Sequence, residues 1–578
     1  MASEKSTTLS EYLFTRLLQL GADSIFGLPG DFNLKLLDYI APSGLKWIGN
    51  CNELNAGYAA DGYARIKGIG ALVTTFGVGE LSAINAIAGA YAERAPVVHI
   101  VGTPPRQLQE SRALVHHTFA DGDFGRFDQM QEHITVAQVI IKDYRTAPAE
   151  IDYVLQQCLV HSRPVRIAIP HDMVGVRVPA AGLDTKIAIP PPVSQPQVEE
   201  EALRLVLDRI YSSKKPMILV DGESRVLDIL DEIDQIVKKT EWPTFTSGFG
   251  KSLVSEALPN VHGVYSPDHK KFVDSCDLVL SFGPHYSSTN SHQNLTLPKK
   301  EVTIDFTETA IKINKAAFHD IPSKQFIQRL IAKLDASKFP KHTPEIIPTS
   351  TLSPVTRSDP VTQTGGFWQR LSPFLREGDI ILAETGTAGY GANEFALPQH
   401  TRLFRPVTWL SIGYMLPAAL GTSIAQRDLI TRSEYHNLPR ARTVLLIGDG
   451  SFQLTAQELS TIIHHKLDVV VFLINNEGYT IERCIHGRNA EYNDITQWRY
   501  LKAPAFFGAA EDGEYAAQTT EIRTWGDLEK VIADESMWNA KGIRMVEVFL
   551  PKLDAPKLLM GLLHSQEQAD LKQQQTAK

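Results

Sequence analysis

TVLLIGDGSFQLTAQELSTIIHHKLDVVVFLINNEGYTIERCI, residues 443–485, decides the fold. Residues 443–447 are a continuous apolar run, the pattern of a strand in a parallel sheet covered on both faces. Gly448-Asp449-Gly450-Ser451 then turns the chain into a predicted helix. The first N–H groups of a helix have no intrahelical acceptor, so they are free to hold a phosphate. A second strand is predicted over 469–474 and runs into Asn475-Asn476-Glu477-Gly478. In a βαβ unit both strand ends lie on one edge of the sheet, where ligands bind. Asp449 and Asn476 therefore share that edge. A carboxylate, an amide oxygen and a backbone carbonyl suit Mg2+, which commonly also takes phosphate oxygens. A lone GDG reads equally well as a tight turn. With the NN-x-G-Y ending that follows, the spacing predicts a magnesium diphosphate site.

The 578 residues are enough for about three or four domains. Hydrophobic residues at 43% and charged residues at 21% are ordinary for a soluble globular chain. The net charge of −9 gives no reason to expect a nucleic-acid or membrane partner. Apolar runs are strand-length, far short of the roughly 20 residues of a membrane span. The opening MASEKSTTLSEY is polar and shows no secretory signal. Cys51, Cys158, Cys276 and Cys484 have no C-x-x-C spacing, so neither a disulfide framework nor a zinc site is expected. A cytoplasmic protein with reduced thiols is the expectation.

Working outward, strands and helices alternate from residue 9 onward, as in a parallel sheet with helices on both faces. TTFGVGELSAINAIAGAYAERAPVVHIVG repeats the layout of the 443–475 stretch: strand, Gly-x-Gly turn, helix, strand. The first and last domains are thus expected to share a topology. Only the last has the Asp and the Asn pair, so only the last should hold diphosphate. A Pro-rich linker is predicted over 180–197, with Pro190-Pro191-Pro192 extended. A second, over 339–366, contains Pro340, Pro344, Pro348, Pro354 and Pro360 and should be irregular and superficial. The polar tail after Gln566 should fray.

The GDG–helix–strand–NN run is similar to the thiamin-diphosphate-binding motif. From about residue 9 to about 556, the chain resembles the pyruvate decarboxylase family of thiamin-diphosphate-dependent 2-oxo-acid decarboxylases. The resemblance implies an α/β fold of three domains with doubly wound parallel sheets, the thiamin-diphosphate-binding fold. Its parts would be a pyrimidine-binding domain (1–180), a central domain (198–338) and a diphosphate-binding domain (367–556).

The resemblance also implies roles for residues. Asn52 to Arg65 matches the family pattern N-E-x-N-A-x-Y-A-A-D-G-Y-A-R, whose glutamate, here Glu53, protonates the cofactor's aminopyrimidine ring. An exposed Glu in a first helical turn is the bland alternative. Asp31 in GLPGD, His116 and His117 in ALVHHTF, and Glu482 in GYTIE match the family's proton-transferring set. Taken locally, Asp31 is a turn former and the histidines are solvated loop residues. Ile412 matches the apolar side chain that bends the cofactor. The Leu410 carbonyl would accept the amino group, with Ser411 beside it, although the family usually has Gly before Ser-Ile. Thr387, Gly450, Ser451, Asn476, Glu477, Gly478, Tyr479, Thr480 and Ile481 would wrap the cofactor, with Asp449, Asn476 and Gly478 on the Mg2+. Asp31, His117 and Glu482 would meet the substrate. Arg163 matches a position linked to 2-oxo-acid binding away from the centre, or pairs with a surface acid.

The implied reaction is non-oxidative decarboxylation of pyruvate to acetaldehyde and carbon dioxide, through a thiamin diphosphate ylid and enamine. Small Thr289, Ala388 and Gly389, with Trp409 and Ile481 as walls, leave phenylpyruvate, indolepyruvate or branched 2-oxo acids as alternative substrates. The regulatory cysteine of some relatives is absent near Asp221-Gly222-Glu223-Ser224. Rivals are a flavin-carrying acetohydroxy-acid ligase, a nicotinamide dehydrogenase and a non-catalytic scaffold of the same fold. No G-x-G-x-x-G opens the 443 unit, which weighs against the dehydrogenase. The family implies a homodimer or a homotetramer built as a dimer of dimers.

Overall fold

The computed structural model describes residues 5–189, 195–339, 352–539 and 541–576. Three sheets organise them. In the N-terminal sheet the spatial order is Lys46–Gly49, Ser24–Gly27, Gly70–Thr75, Val97–Thr103, Val165–Pro170, Gln138–Ile140, all parallel. In the C-terminal sheet it is Arg402–Phe404, Ile380–Ala383, Thr443–Gly448, Val469–Asn475, Arg544–Phe549, Gln518–Ile522, also all parallel. Counted along the chain, both sheets read 2-1-3-4-6-5. The repeated layout is therefore a repeated topology. The central strands of both sheets are buried, Gly448 at one strand end only partly, which is why they read as apolar runs.

The central sheet differs. Its strands Val261–Val264, Thr244–Thr246, Pro216–Val220, Leu278–Phe282 and Thr303–Phe306 are parallel, but Ala310–Ile313 and Ala316–His319 add an antiparallel hairpin. Three doubly wound parallel sheets were the expectation; the central one adds this antiparallel edge to its five parallel strands. The hairpin turns at Asn314, whose φ of +55° suits Asn.

Two further expectations change. One helix was expected between the strands of the 443–475 unit; it is broken into Asp449–Thr455, a 3-10 turn Ala456–Glu458, and Leu459–His464. At the break the Thr455 hydroxyl donates to the Gly413 carbonyl at 2.7 Å. The tail is not frayed: Lys557–Thr576 is helical, with Leu559 and Leu563 buried against Cys484 and Ala555. Pro190-Pro191-Pro192, Pro340, Pro344 and Pro348 lie outside the described residues. Residues 352–360 run mostly exposed, but Val361 and Gln363 are buried, so the second linker dives into the core at its end.

The two outer domains share one core. Helix Glu53–Lys67 crosses helix Met415–Thr431, and Ala59, Ala60, Leu416, Ala419 and Leu420 belong to a single apolar cluster. Where they cross, Tyr414 donates to Asp61 at 2.5 Å, and Arg65 pairs with the same carboxylate. The pair is buried, so its attraction is weakly screened while its desolvation is costly.

Candidate active site

In an open α/β sheet the ligand crevice lies beyond the strand ends, where the strand order reverses. In the C-terminal sheet that point falls between Ile380–Ala383 and Thr443–Gly448. The first strand delivers Glu384, Thr385, Gly386 and Thr387 there, and the second delivers Asp449, Gly450 and Ser451. Asp449 is buried; its Oδ1 accepts the Gly450 N–H at 2.9 Å and its Oδ2 the Gly478 N–H at 3.0 Å. No Lys or Arg pairs with it among the described residues. Burial pushes its carboxyl up to about 6, while the N–H groups of Gly450, Gly478 and Glu477 pull the other way.

Asn476 ends the neighbouring strand, is buried, and makes no side-chain hydrogen bond among the described residues. The 476–481 turn folds back over the crevice. Gly478 has φ +125°, and a Cβ there would sit 2.2 Å from the Asn493 carbonyl, so no other residue fits. The Tyr479 ring approaches Gly450, and Ile481 lies 3.9 Å from the Cβ position of Gly386. Thr387 and Ser451 are buried in the walls, the Thr480 hydroxyl donates to the Lys552 carbonyl, and Glu477 is exposed with φ +59°. A buried carboxylate with no counter-charge, an amide oxygen with no donor and a glycine carbonyl form an all-oxygen donor set. That set fits Mg2+ and a diphosphate.

The N-terminal crevice lies between Ser24–Gly27 and Gly70–Thr75. His116 Nε2 is 2.8 Å from Asp31 Oδ2. The His116 ring stacks on Phe32 at 5.1 Å and meets the His117 ring edge-on at 4.6 Å. Glu53 opens its helix behind Asn52, whose side chain accepts the Asn55 N–H. Its half-buried carboxyl has no cation partner among the described residues, and burial raises its affinity for a proton. It rests against the 77–80 turn: a Cβ on Gly79 would lie 3.0 Å from Glu53 Oε1. An acid whose proton affinity is raised by burial fits a relay to a nitrogen heterocycle.

Glu482 does not join this cluster within the chain. Its side chain is exposed and makes no hydrogen bond or ion pair with a described residue. Arg163 is also apart. It precedes strand Val165–Pro170, at the strand end away from the crevice, with its guanidinium 4.5 Å over the Tyr91 ring and no acid paired to it among the described residues. The Thr289 hydroxyl donates to the Val407 carbonyl, so its small side chain is spent on a backbone contact.

Residues 407–415 bridge the two outer domains. Glu93 Oε1 accepts the N–H groups of Val407, Thr408 and Trp409 at 3.0, 2.8 and 3.1 Å. Leu410 then adopts φ +57°, a left-handed conformation costing a residue with a side chain about 1–2 kcal/mol. It lines a small cavity with Tyr58, Ala86, Gly89 and Tyr414. Ser411 Oγ lies 2.7 Å from the Tyr58 hydroxyl and accepts from Asn85; Ile412 is partly exposed.

Sequence reasoning passed over three buried acids here: Glu93, Glu384 and Glu458. Glu458 accepts the amides of Asn50 and Asn55, both at 2.8 Å, tying the start of the Glu53 helix to the C-terminal domain. The available signal was an acid next to an apolar run, as in ILAETGT.

The chain matches the thiamine pyrophosphate enzyme N-terminal TPP binding domain over residues 7–131, the central domain over 203–334 and the C-terminal TPP binding domain over 384–548. It is 66% identical to a pyruvate decarboxylase of Aspergillus parasiticus over 560 residues, covering 96% of this chain and 97% of that one. It is 40% identical to pyruvate decarboxylase isozyme 2 of Saccharomyces cerevisiae, again over 96% and 97%. In fold it is similar to the Rhodococcus jostii thiamine diphosphate-dependent 4-hydroxybenzoylformate decarboxylase, with TM-score 0.75, 17% identity, and coverage of 94% and 99%. The chain belongs to the thiamine pyrophosphate enzymes, within the pyruvate decarboxylase family.

Proposed function

We propose that the protein is a carboxy-lyase that converts pyruvate to acetaldehyde and carbon dioxide with thiamin diphosphate and Mg2+. The observation that carries this reading is the uncompensated Asp449 carboxylate, set at a strand-order reversal beside Asn476 and the Gly478 turn. Asp449, Asn476 and the Gly478 carbonyl hold the metal. Gly450, Ser451, Thr387 and residues 476–481 enclose the diphosphate, and Leu410, Ser411 and Ile412 support the ring end. When bound, the cofactor supplies the carbanion chemistry that releases carbon dioxide from a 2-oxo acid.

The chain's own part is orientation and proton handling. Burial disfavours the Glu53 anion and raises its affinity for a proton, which suits a carboxyl that hands a proton to a ring nitrogen. The Asp31–His116 pair, with His117 against it, sets His116 Nε2 within hydrogen-bond reach of the Asp31 carboxylate at the substrate end. Asp31, His117 and Glu482 exchange protons with substrate and product, and His116 keeps Asp31 in place. Phe32 and Phe76 form an apolar floor under the histidines.

Glu482 and the Asp31 cluster do not meet within one chain, so we assign the complete site to a homodimer, itself the half of a dimer of dimers. Exposed apolar side chains beside both half-sites support this: Val78, Leu114 and Phe119 on one, Leu454 and Ile485 on the other. Arg163, on the far edge, acts as a remote 2-oxo-acid contact at most. Four free cysteines suit a reducing cytoplasm, and no described helix is long and apolar enough to cross a membrane.

The test adds thiamin diphosphate and Mg2+ to apo-protein with pyruvate. Stoichiometric acetaldehyde and carbon dioxide are expected, with kcat/KM for pyruvate above that for phenylpyruvate. Aldehyde from phenylpyruvate alone would reassign the substrate, and no aldehyde from either acid would overturn the reading.

A further inference from the structure

The turn 410–412 is held from both ends by buried carboxylates. On one side Glu93 gathers three N–H groups, as described. On the other stands Glu384, which is fully buried and has no cation partner among the described residues. Its Oε2 accepts the Met415 N–H at 2.8 Å, its Oε1 the Thr385 N–H at 2.8 Å, and the Gly413 N–H also donates to it. Its own N–H donates to the Leu446 carbonyl at 2.9 Å, so it is anchored to the strand that carries Asp449. Gly413 is gripped twice, because its carbonyl accepts the Thr455 hydroxyl at 2.7 Å. Gly413 itself has φ +84°, and a Cβ there would lie 2.8 Å from Leu454 Cβ. Between these anchors sits Leu410 at φ +57°, a conformation a leucine abandons when free.

An unneutralised carboxylate in a fully buried place is costly, and it persists where several N–H donors converge on it. Here the donors belong to the segment that follows the strained turn. We propose that Glu384 is a positioning residue for the cofactor's ring end: its carboxylate holds residues 413–415 so that Leu410 stays left-handed and its carbonyl keeps a fixed direction. The proposal rests on the reading that residues 410–412 meet that ring. It accounts for a leucine where the backbone asks for glycine, since the clamp offsets the strain that glycine would avoid.

The experiment measures thiamin diphosphate affinity by calorimetry at saturating Mg2+, in wild type, Glu384→Gln, Leu410→Gly, the double variant and Ile412→Ala. Glu384→Gln replaces one oxygen by an NH2 that faces backbone donors. It is expected to weaken the cofactor about tenfold, the size of the strain it releases. Glycine populates positive φ freely, so in the Leu410→Gly background the same change is expected to cost about threefold or less. A tenfold loss in both backgrounds, or no loss in either, overturns the proposal. Thermal melts identify variants that do not fold. In that event Glu384→Asp, which keeps the charge but retracts it, is read in the same two backgrounds. Ile412→Ala separates the two failures: if it leaves affinity unchanged, the ring end is elsewhere; if it weakens affinity while Glu384→Gln does not, only the role of Glu384 falls.

Discussion

The units Gly70–Thr103 and Thr443–Asn475 occupy the same place in two sheets of the same order, yet they treat a buried acid in opposite ways. In the first, Glu80 follows the Gly77 turn. It accepts the Gly77 N–H at 3.0 Å and the Gln131 amide at 2.6 Å, and pairs with Arg166 at 2.9 Å. His99 extends the network, linking Thr74 to Gln131, and burial pushes its imidazole down to about 3, so it stays neutral. In the second, Asp449 has backbone N–H donors and no Lys or Arg partner among the described residues. The protein finishes one unit internally and leaves the other to be finished by a metal. A Gly-x-Gly turn therefore does not mark a ligand site; the charge balance of the acid beside it does.

The comparison can be pressed hardest at Glu53. The domain that contains the first unit also carries Glu53, Asp31, His116 and His117, so Glu53→Gln should cut turnover about 10²–10⁴-fold while leaving Mg2+ affinity and the melting temperature near wild type. Turnover at the wild-type rate would remove the division of labour between the units. Next in size is Glu80→Gln. It strips a buried guanidinium of one of its two acids, since Asp128 also pairs with Arg166, and should cost about 3 kcal/mol in denaturant unfolding. Metal affinity should be unchanged; a lost metal site would mean that the first unit also binds a cation.

Leu410→Gly should change stability less and in the other direction, raising apo-protein stability by up to about 1 kcal/mol as the left-handed strain is relieved. A drop would show that leucine packing in the cavity outweighs the strain. The smallest effect is with pH. In the second unit's crevice, burial raises Asp449 from 3.8 to about 6 and Glu384 from 4.5 to about 7. An acid bound more tightly to its proton when folded contributes stability that is complete below its unfolded pKa and lost as pH rises through the folded one. Apo-protein melting temperatures should therefore decline between pH 5 and 7 on this account. Mg2+ with thiamin diphosphate should flatten the decline, because the metal favours the carboxylate form of Asp449. An unchanged slope on loading would contradict the uncompensated acid.

What the sequence made legible was local. The 443–475 unit, its echo, and Glu53 behind its Asn52 cap could be read because motif and element sit together in the chain. The Asn314 turn announced the central hairpin only through one residue type, within a pattern equally suited to another parallel strand. Glu384, Glu93 and Glu458 were not legible. Each is a single acid in an apolar setting whose donors come from distant segments: residues 413–415, 407–409, and Asn50 with Asn55. The helix break at Thr455 likewise depends on the Gly413 carbonyl across the fold. The separation of Glu482 from Asp31 is a matter of tertiary distance that no motif encodes.

The most direct test is calorimetric titration of Mg2+ and thiamin diphosphate into wild-type protein and Asp449→Ala. The account predicts one site per chain in the wild type. It predicts affinity lowered more than about 100-fold in the variant, beyond the loss of an ordinary hydrogen bond to a charged group, and no loss of apo-protein stability. Wild-type affinity in Asp449→Ala, or two sites per chain in the wild type, would contradict it.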